Sequence, residues 1–272
     1  MKLLCIGDII ARAGRRAVRE VLPRLRDRYK IDYCIANGEN VSHGFGITAK
    51  CVDELLGSGV DLITSGNHIW DKKEVIALLA TRPVLRPLNF PNAAPGNGIW
   101  RVEICGVKTA IINLIGFYGM GIVDNPFTVA AQAVETLKAE GVRAIVIDFH
   151  AEATSEKNAL LKMLEGEASV IYGTHTHIGT DDLLIAKGTG YVSDIGLTGV
   201  RSEVIGMQSR EPIARYMTGV KESFKVCDSA LTIFQAVVFE LDDHARVVDA
   251  FKIKSFGGEE SFVSMRHSGG WQ

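Results

Sequence analysis

The chain predicts an α/β fold in which parallel strands alternate with helices, and three observations carry that reading. Short apolar runs at 3–6, 33–36 and 60–64 each stop at a polar, glycine-containing turn. Each run is followed by a stretch whose apolar residues recur at helical spacing. Three strand–loop–helix units in succession imply parallel strands joined by right-handed crossovers. In such sheets the ligand crevice lies outside the carboxyl ends of the strands.

The first run, 3–6, ends at Gly7-Asp8 and reads as a buried strand. Residues 13–28 put Val18, Val21, Leu22 and Leu25 on one stripe with arginines between, the pattern of an amphipathic helix. The strand 33–36 ends at Asn37-Gly38-Glu39-Asn40. Thr48 is placed to cap a helix running through 56, with Gly57 and Gly59 as stop signals. The strand 60–64 ends at Ser65-Gly66-Asn67-His68, and a helix follows from Lys72 to Ala80.

The middle of the chain reads as more antiparallel. Residues 99–104 and 108–114 flank Gly106 as a hairpin, and 115–125 is a glycine-rich loop. Pro126 starts a helix that reaches Glu140. A strand at 144–149 ends at His150, and a helix over 155–165 leads to a strand at 169–172. That strand ends at Gly173-Thr174-His175-Thr176-His177. Residues 194–228 read as irregular and Gly-rich, with 194–202 either a loop that closes over a substrate or, equally, an ordinary connecting loop. Residues 230–241 and 245–253 read as a closing hairpin. No repeat, low-complexity tract or linker interrupts the pattern, so 1–272 reads as one domain, with 255–272 as a fraying tail.

Bulk properties narrow the class. A chain of 272 residues is ample for a buried core, and 47% hydrophobic with 23% charged residues is the composition of a soluble globular protein. A formal net charge of -2 argues against a whole-molecule electrostatic grip on nucleic acid and leaves only a local patch. No apolar run approaches the roughly 18–20 residues of a membrane helix, and the first residues carry no cleavage signature. Five cysteines without a C-x-x-C pair read as buried thiols in a reducing compartment, so the cytoplasm is expected. Neither G-x-x-x-x-G-K-[ST] nor a post-strand G-x-G-x-x-G occurs, which removes the usual triphosphate and dinucleotide sites.

The chemistry gathers at the strand ends: Asp8, Glu39, Asn40, Asn67, His68, His150, His175 and His177. A single Asn or Asp there is usually a turn former, and a single His is usually structural. Recurrence at the ends of five strands outweighs that reading. Carboxylates and imidazoles together offer hard oxygen and borderline nitrogen, a mixture suited to Mn, Fe or Zn. Six or seven ligands exceed one tetrahedral zinc, so two metals sharing a ligand is the economical expectation. Two metals about 3.5–4 Å apart can activate a bridging water as hydroxide and stabilise charge on a phosphate.

These motifs resemble those of the calcineurin-like metallophosphoesterases, whose members show GD-x-H, GD-x-x-D, GNH-[DE], a lone H and GH-x-H in order. The resemblance is closer to a bacterial branch, the YmdB-like cyclic nucleotide phosphodiesterases. It rests on Gly7-Asp8-Ile9, Ala36-Asn37-Gly38-Glu39-Asn40, Gly44-Phe45-Gly46-Ile47-Thr48, Gly66-Asn67-His68-Ile69-Trp70-Asp71, the stretch from Asp148 through His150 to Lys157, and Gly173-Thr174-His175-Thr176-His177. It spans nearly the whole chain.

The resemblance implies a four-layer αββα sandwich of two mixed sheets flanked by helices. It implies that Asp8 and His177 hold a first metal, that Asn67, His150 and His175 hold a second, and that Glu39 bridges them. Asn40 is implied at or beside the second metal through its amide oxygen. His68 is implied as the general acid that protonates the leaving ribose oxygen. The implied cofactors are two metal ions, Fe or Mn first and Zn as an alternative. The implied activity is hydrolysis of cyclic nucleotides, 2′,3′ ahead of 3′,5′.

Two departures from the wider superfamily are visible: Ile10 stands where its first motif has a histidine, and Asn-Gly-Glu-Asn replaces GD-x-x-D. Both fit the YmdB-like branch. A phosphomonoesterase or protein phosphatase on the same scaffold is the alternative. A regulatory protein that keeps the metal site and engages RNA or a partner is a third reading. The arginines at 12, 15, 16, 19, 24, 26 and 28 are its only support, and they read first as a solvated helix face. His43 reads as a solvated loop residue, substrate contacts are unassigned, and a homo-oligomer is expected.

Overall fold

Alternation along the strands decides which layer each side chain enters, and two sheets share the chain between them. The computed structural model describes residues 1–257 and 260–268. From the amino end, β1 (Lys2–Ile6) and the two-residue β2 (Asp8–Ile9) precede α1 (Ala11–Tyr29). Then come β3 (Tyr33–Asn37), α2 (Ala49–Gly57), β4 (Leu62–Thr64), a 3-10 turn (Ile69–Asp71) and α3 (Val75–Thr81). The middle contains β5 (Ile99–Ile104), β6 (Val107–Ile115), α4 (Pro126–Ala139), β7 (Ala144–His150), α5 (Thr154–Leu164) and β8 (Val170–Thr174). Next follow β9 (Leu184–Ala186), β10 (Thr189–Val192), β11 (Leu197–Val200) and α6 (Arg210–Thr218). The chain closes with β12 (Thr232–Leu241), β13 (Val247–Phe256) and β14 (Glu260–Ser268).

The first sheet runs β14-β13-β12-β1-β3-β4, with β11 joining β12 and β2. The pairs β1–β3 and β3–β4 are parallel, while β12 lies antiparallel to β1. The second sheet runs β5-β6-β7-β8-β10-β9, parallel from β6 through β10 and antiparallel at both edges. Leu3, Cys5, Ile35 and Leu62 of the first sheet meet Ile111, Val146, Val170 and Tyr172 of the second in one cluster between the sheets. Their alternates, Leu4, Ile6, Cys34 and Ala36, pack outward with Val18, Val21, Leu22 and Leu25 of α1. On the far side Ile112, Ile145, Ile147 and Phe149 pack against α4 and α5 through Val134, Leu137, Leu160 and Leu161. The result is the expected αββα sandwich of two mixed sheets.

Several local expectations change. Thr48 occupies the cap position of α2 with an extended backbone, but its hydroxyl makes no cap bond and turns to Cys51 Sγ. The Glu74 carboxylate accepts from the Ala49 amide instead. The segment 194–228 contains a strand, β11, and a helix, α6. Strand β11 forms because β2 and β12 offer it two partners from distant parts of the chain. Ser255 lies inside β13, and β14 returns along it, where a fraying tail was expected. That expectation for 258–259 and 269–272 falls outside the described residues.

The arginines of α1 are engaged within the chain. Arg15 and Arg19 pair with Glu54, Arg12 and Arg16 with Asp228, and Arg26 with Asp61. Arg24 donates to the Glu20 carbonyl, and Arg28 lies over the Tyr29 ring. The contacts with Glu54, Asp61 and Asp228 tie α1 to its neighbours, while those of Arg24 and Arg28 stay within the helix.

Two stability experiments follow from this packing. Phe149 is fully buried and edge-on to Phe127. Phe149→Ala should lower unfolding free energy by about 3–5 kcal/mol in a denaturant titration, against less than about 0.5 for the exposed Val248→Ala. Lys252 is buried, and burial, reinforced by Lys254, lowers its pKa to about 8. Above that value the folded chain releases a proton that the unfolded chain keeps until about 10.4, so this residue adds stability as pH rises through that window. The stability of the wild type relative to Lys252→Met should therefore increase between pH 8 and 10, and a flat difference would contradict the assignment.

Candidate metal centre

The carboxyl ends of the parallel strands of both sheets meet along one seam. The first sheet brings Asp8 in β2, Glu39 and Asn40 after β3, and Asn67 and His68 after β4. The second brings His150 as the last residue of β7, and His175 and His177 just after β8. Asp8, Glu39, Asn40, His150 and His177 are buried, and Asn67, His68 and His175 are half-buried. All eight strand-end residues come together.

Hydrogen-bond partners dictate where the lone pairs point. The Thr174 hydroxyl donates to Asp148 Oδ1 at 2.8 Å, which commits its only proton. His150 Nδ1, 2.9 Å from that hydroxyl, must therefore be the donor, and His150 Nε2 carries a lone pair. His175 Nε2 lies 3.0 Å from the Glu152 carboxylate, an acceptor, so His175 Nδ1 also carries a lone pair. That atom sits 3.0 Å from His150 Nε2. Asn67 Oδ1 is 3.0 Å and Glu39 Oε1 is 3.1 Å from the same nitrogen. Four acceptors converge with no proton committed among them.

A second group adjoins the first. His177 Nδ1 donates to the Ile205 carbonyl at 3.1 Å, leaving Nε2 to face Asp8 Oδ1 at 3.6 Å. Asp8 Oδ2 accepts from the His175 amide, whereas Asp8 Oδ1 is buried and, among the described residues, has no hydrogen-bond partner. Asn40 turns its amide nitrogen to Glu39 Oε1 at 3.1 Å and lies 3.4 Å from His177 Nε2. The oxygen expected at that point is on the other side of the amide, and a half-turn exchanges the two. Glu39 stands between the groups, its Oε2 accepting from the His68 amide.

Electrostatics agree with geometry. Burial raises the Asp8 carboxyl, with His177 and His150 pulling it back. Burial opposes ionisation of Glu39 too, but the neighbouring His150 and His68 outweigh it and hold that carboxylate well below its usual range. Burial disfavours a charged His150, yet Glu39 and Asp8 raise it to about 9, so in the absence of a cation its Nε2 takes up a proton that a bound metal would displace. Burial and the adjacent His150 lower His175 to about 3. The cluster thus concentrates negative potential on one small volume. Together with the orphaned Asp8 oxygen and the convergent lone pairs, this donor set fits bound metal cations. Glu39, His150 and His175 alone bring three ligand atoms within 4.8 Å of one another.

The surrounding backbone is strained to achieve this. His175 and His177 have φ of 98° and 64°, a region that side chains seldom adopt and that persists where neighbours over-determine it. Lys157 Nζ, fully buried, donates to the Thr174 carbonyl and pairs with Asp194, both at 3.0 Å. Asp194 in turn accepts from the Thr176 amide and hydroxyl, clamping the loop between the two histidines. Gly66 is required here, because a Cβ would lie 2.2 Å from the His150 ring and 2.5 Å from Glu39 Oε2.

The sequence pattern did not single out Asp194, Lys157 or Glu152. Asp194 also follows a strand, β10, and recognition of that short strand was the signal that would have added it. Ile10, the departure from the wider superfamily, is buried with Leu197, Met207 and Ile233 and supports the loop beneath Gly206. His43 is exposed in a left-handed turn, and it does not line the cavity beside the centre.

That cavity has a volume of about 300 Å³. Glu39, Asn40, His68, His175 and His177 form one wall. His68 Nδ1 is 2.8 Å from Asp71 Oδ2, and its ring meets Phe45 edge-on at 4.9 Å.

Comparison with known proteins places this arrangement. Residues 4–253 match the YmdB-like protein family. The chain is 42% identical over 248 residues to a Bacillus subtilis protein named 2′,3′-cyclic-nucleotide 2′-phosphodiesterase, covering 90% of this chain and 93% of that one. A crystal structure of a hypothetical protein from Thermus thermophilus superposes with TM-score 0.89 at 40% identity, covering 94% of this chain and 99% of the other. A structure described as a novel phosphatase from Mycoplasma pneumoniae superposes with TM-score 0.89 at 32% identity, covering 94% and 93%. The chain belongs to the YmdB-like family, as its strand-end motifs implied.

Proposed function

We propose that this protein is a metal-dependent phosphodiesterase that hydrolyses cyclic nucleotides, with 2′,3′-cyclic substrates ahead of 3′,5′-cyclic ones. The observation that carries the reading is the convergence of three further acceptors on His150 Nε2, beside an imidazole, His68, that is not itself part of that convergence. The 42% identity to the Bacillus subtilis phosphodiesterase supports the substrate class.

His150, His175, Asn67 and Glu39 would hold one metal, and Asp8 and His177 with Glu39 the other. Asn40, expected beside the metal of His150 and His175, would instead adjoin that of Asp8 and His177, because its amide lies 3.4 Å from His177 Nε2. Mn, Fe and Zn all suit these donors. When bound, the metals supply Lewis acidity to the phosphate and to the attacking water. The remaining steps belong to the chain. Asp71 accepts from His68 Nδ1, so in the imidazolium form of His68 the transferable proton is the one on Nε2. His68 delivers that proton to the ribose oxygen as the P–O bond breaks, so the product leaves as an alcohol rather than an alkoxide. Opening the cyclic diester leaves a phosphomonoester beside a free hydroxyl.

Purified protein should contain metal, and Glu39→Gln should lose most of it by elemental analysis together with hydrolysis of 2′,3′-cyclic AMP. Retention of both would sink the reading. His68→Ala should keep its metal and lose about 10²–10⁴-fold in kcat. Chelation should lower the melting temperature, and restored metal should raise it again, because a ligand that binds only the folded state stabilises it. Monoester turnover faster than diester turnover would favour a phosphomonoesterase on the same scaffold.

A further inference from the structure

The rest of the lining of the cavity beside the metal centre is aromatic and apolar. Phe45, Ile205, Met207, Tyr216 and Phe224 line it, all but Phe45 supplied by residues 205–224. Tyr216 is 86% exposed and makes no hydrogen bond, ion pair or ring contact among the described residues. The Arg215 guanidinium lies 5.6 Å from the Phe224 ring centroid, covering one face of that ring. An exposed tyrosine at the mouth of a polar site has no structural employment, and large exposed aromatics in such positions mark binding surfaces.

The polar groups around the same cavity are already committed. Thr176 donates to Asp194, and Glu152 accepts from His175. Glu39, Asn40, His68, His175 and His177 belong to the centre itself. Little remains that could read the hydrogen-bonding edge of a bound molecule, whereas flat π-faces are available. A ligand that offers a phosphate to the polar strand-end residues and a flat heteroaromatic ring to the aromatic ones fits this lining.

We propose that Phe45, Tyr216 and Phe224 form a nucleobase subsite that holds the base of the substrate by stacking and does not read its hydrogen-bonding edge. The proposal rests on the phosphodiesterase reading above and adds what recognises the rest of the molecule. Stacking on aromatic side chains tolerates any base, because every base has a π-face, and larger rings gain more from it. The subsite therefore selects nucleotides over phosphodiesters without a base, favours purines modestly over pyrimidines, and treats adenine and guanine alike.

The test compares the 2′,3′-cyclic phosphates of adenosine, guanosine, cytidine and uridine with that of methyl riboside, which has no base. Binding by calorimetry and kcat/KM are both measured. In the metal-loaded wild type, nucleotides should exceed the base-free compound by roughly tenfold to a hundredfold in kcat/KM, mainly through KM. Tyr216→Ala, at an exposed position that folding tolerates, and Phe224→Ala should each remove most of that advantage and change turnover of the base-free compound less than about twofold. Tyr216→Phe should retain it, since the ring and not the hydroxyl stacks. Equal use of base-free and nucleotide substrates by the wild type would overturn the subsite, as would equal losses on both in the variants, or strong preference for one base. If nucleotides bind in a Tyr216-dependent manner without being hydrolysed, the subsite stands and the phosphodiesterase reading falls.

Discussion

Four lone pairs aimed at one point repel one another, and the rest of the molecule is arranged to hold them there. His150, His175, Asn67 and Glu39 present acceptors to a shared volume with no proton committed between them. Left to itself such a cluster would rotate apart or take up a proton. It stays because three of the four are fixed from behind. Asp148 and Thr174 fix His150, Glu152 fixes His175, and the His68 amide fixes Glu39. Outer partners of this kind set the tautomer and the direction of a ligand, and they are half of any metal site.

The sandwich makes that restraint possible. One sheet cannot surround a cation, because its strand ends lie in a row. Two sheets packed face to face bring two rows of strand ends together, and the candidate ligands divide between them. The apolar layer between the sheets, from Leu3 and Cys5 to Val146 and Tyr172, fixes the separation of the two rows. The buried Lys157–Asp194 pair adds a second lock, since it ties α5 to the loop that carries His175 and His177. An ion pair inside a protein contributes modestly to stability against an apolar substitute, but losing one partner is costly. Its role here is to hold two histidines in left-handed backbone geometry that they would otherwise leave.

The readable parts of the chain were those where one local rule dominates. The strands of the parallel core stood out because burial on both faces leaves continuous apolar runs, and α1 stood out through its apolar stripe. The eight polar strand ends were legible because each follows such a run. Strands β9, β10 and β11 were not, since they are three or four residues long and form only where partners are already in place. Helix α6 was hidden among glycines and polar residues and buries only Glu211 and Pro212. With β10 unrecognised, Asp194 looked like a loop residue. The arginines of α1 looked like a basic face until Glu54, Asp61 and Asp228 were found beside them.

The sequence by itself determined the order of elements in the parallel core and the set of residues able to bind metal, because periodicity and strand-end position are local properties. Tertiary structure alone decided which ring nitrogen of each histidine faces the centre and which Asp8 oxygen is left without a partner. It also decided that aromatic side chains of 205–224 line the same cavity as the strand-end residues. Those outcomes depend on hydrogen bonds and packing between residues as far apart as Asp8 and His175, and no local pattern encodes a contact that exists only once two sheets have closed on each other.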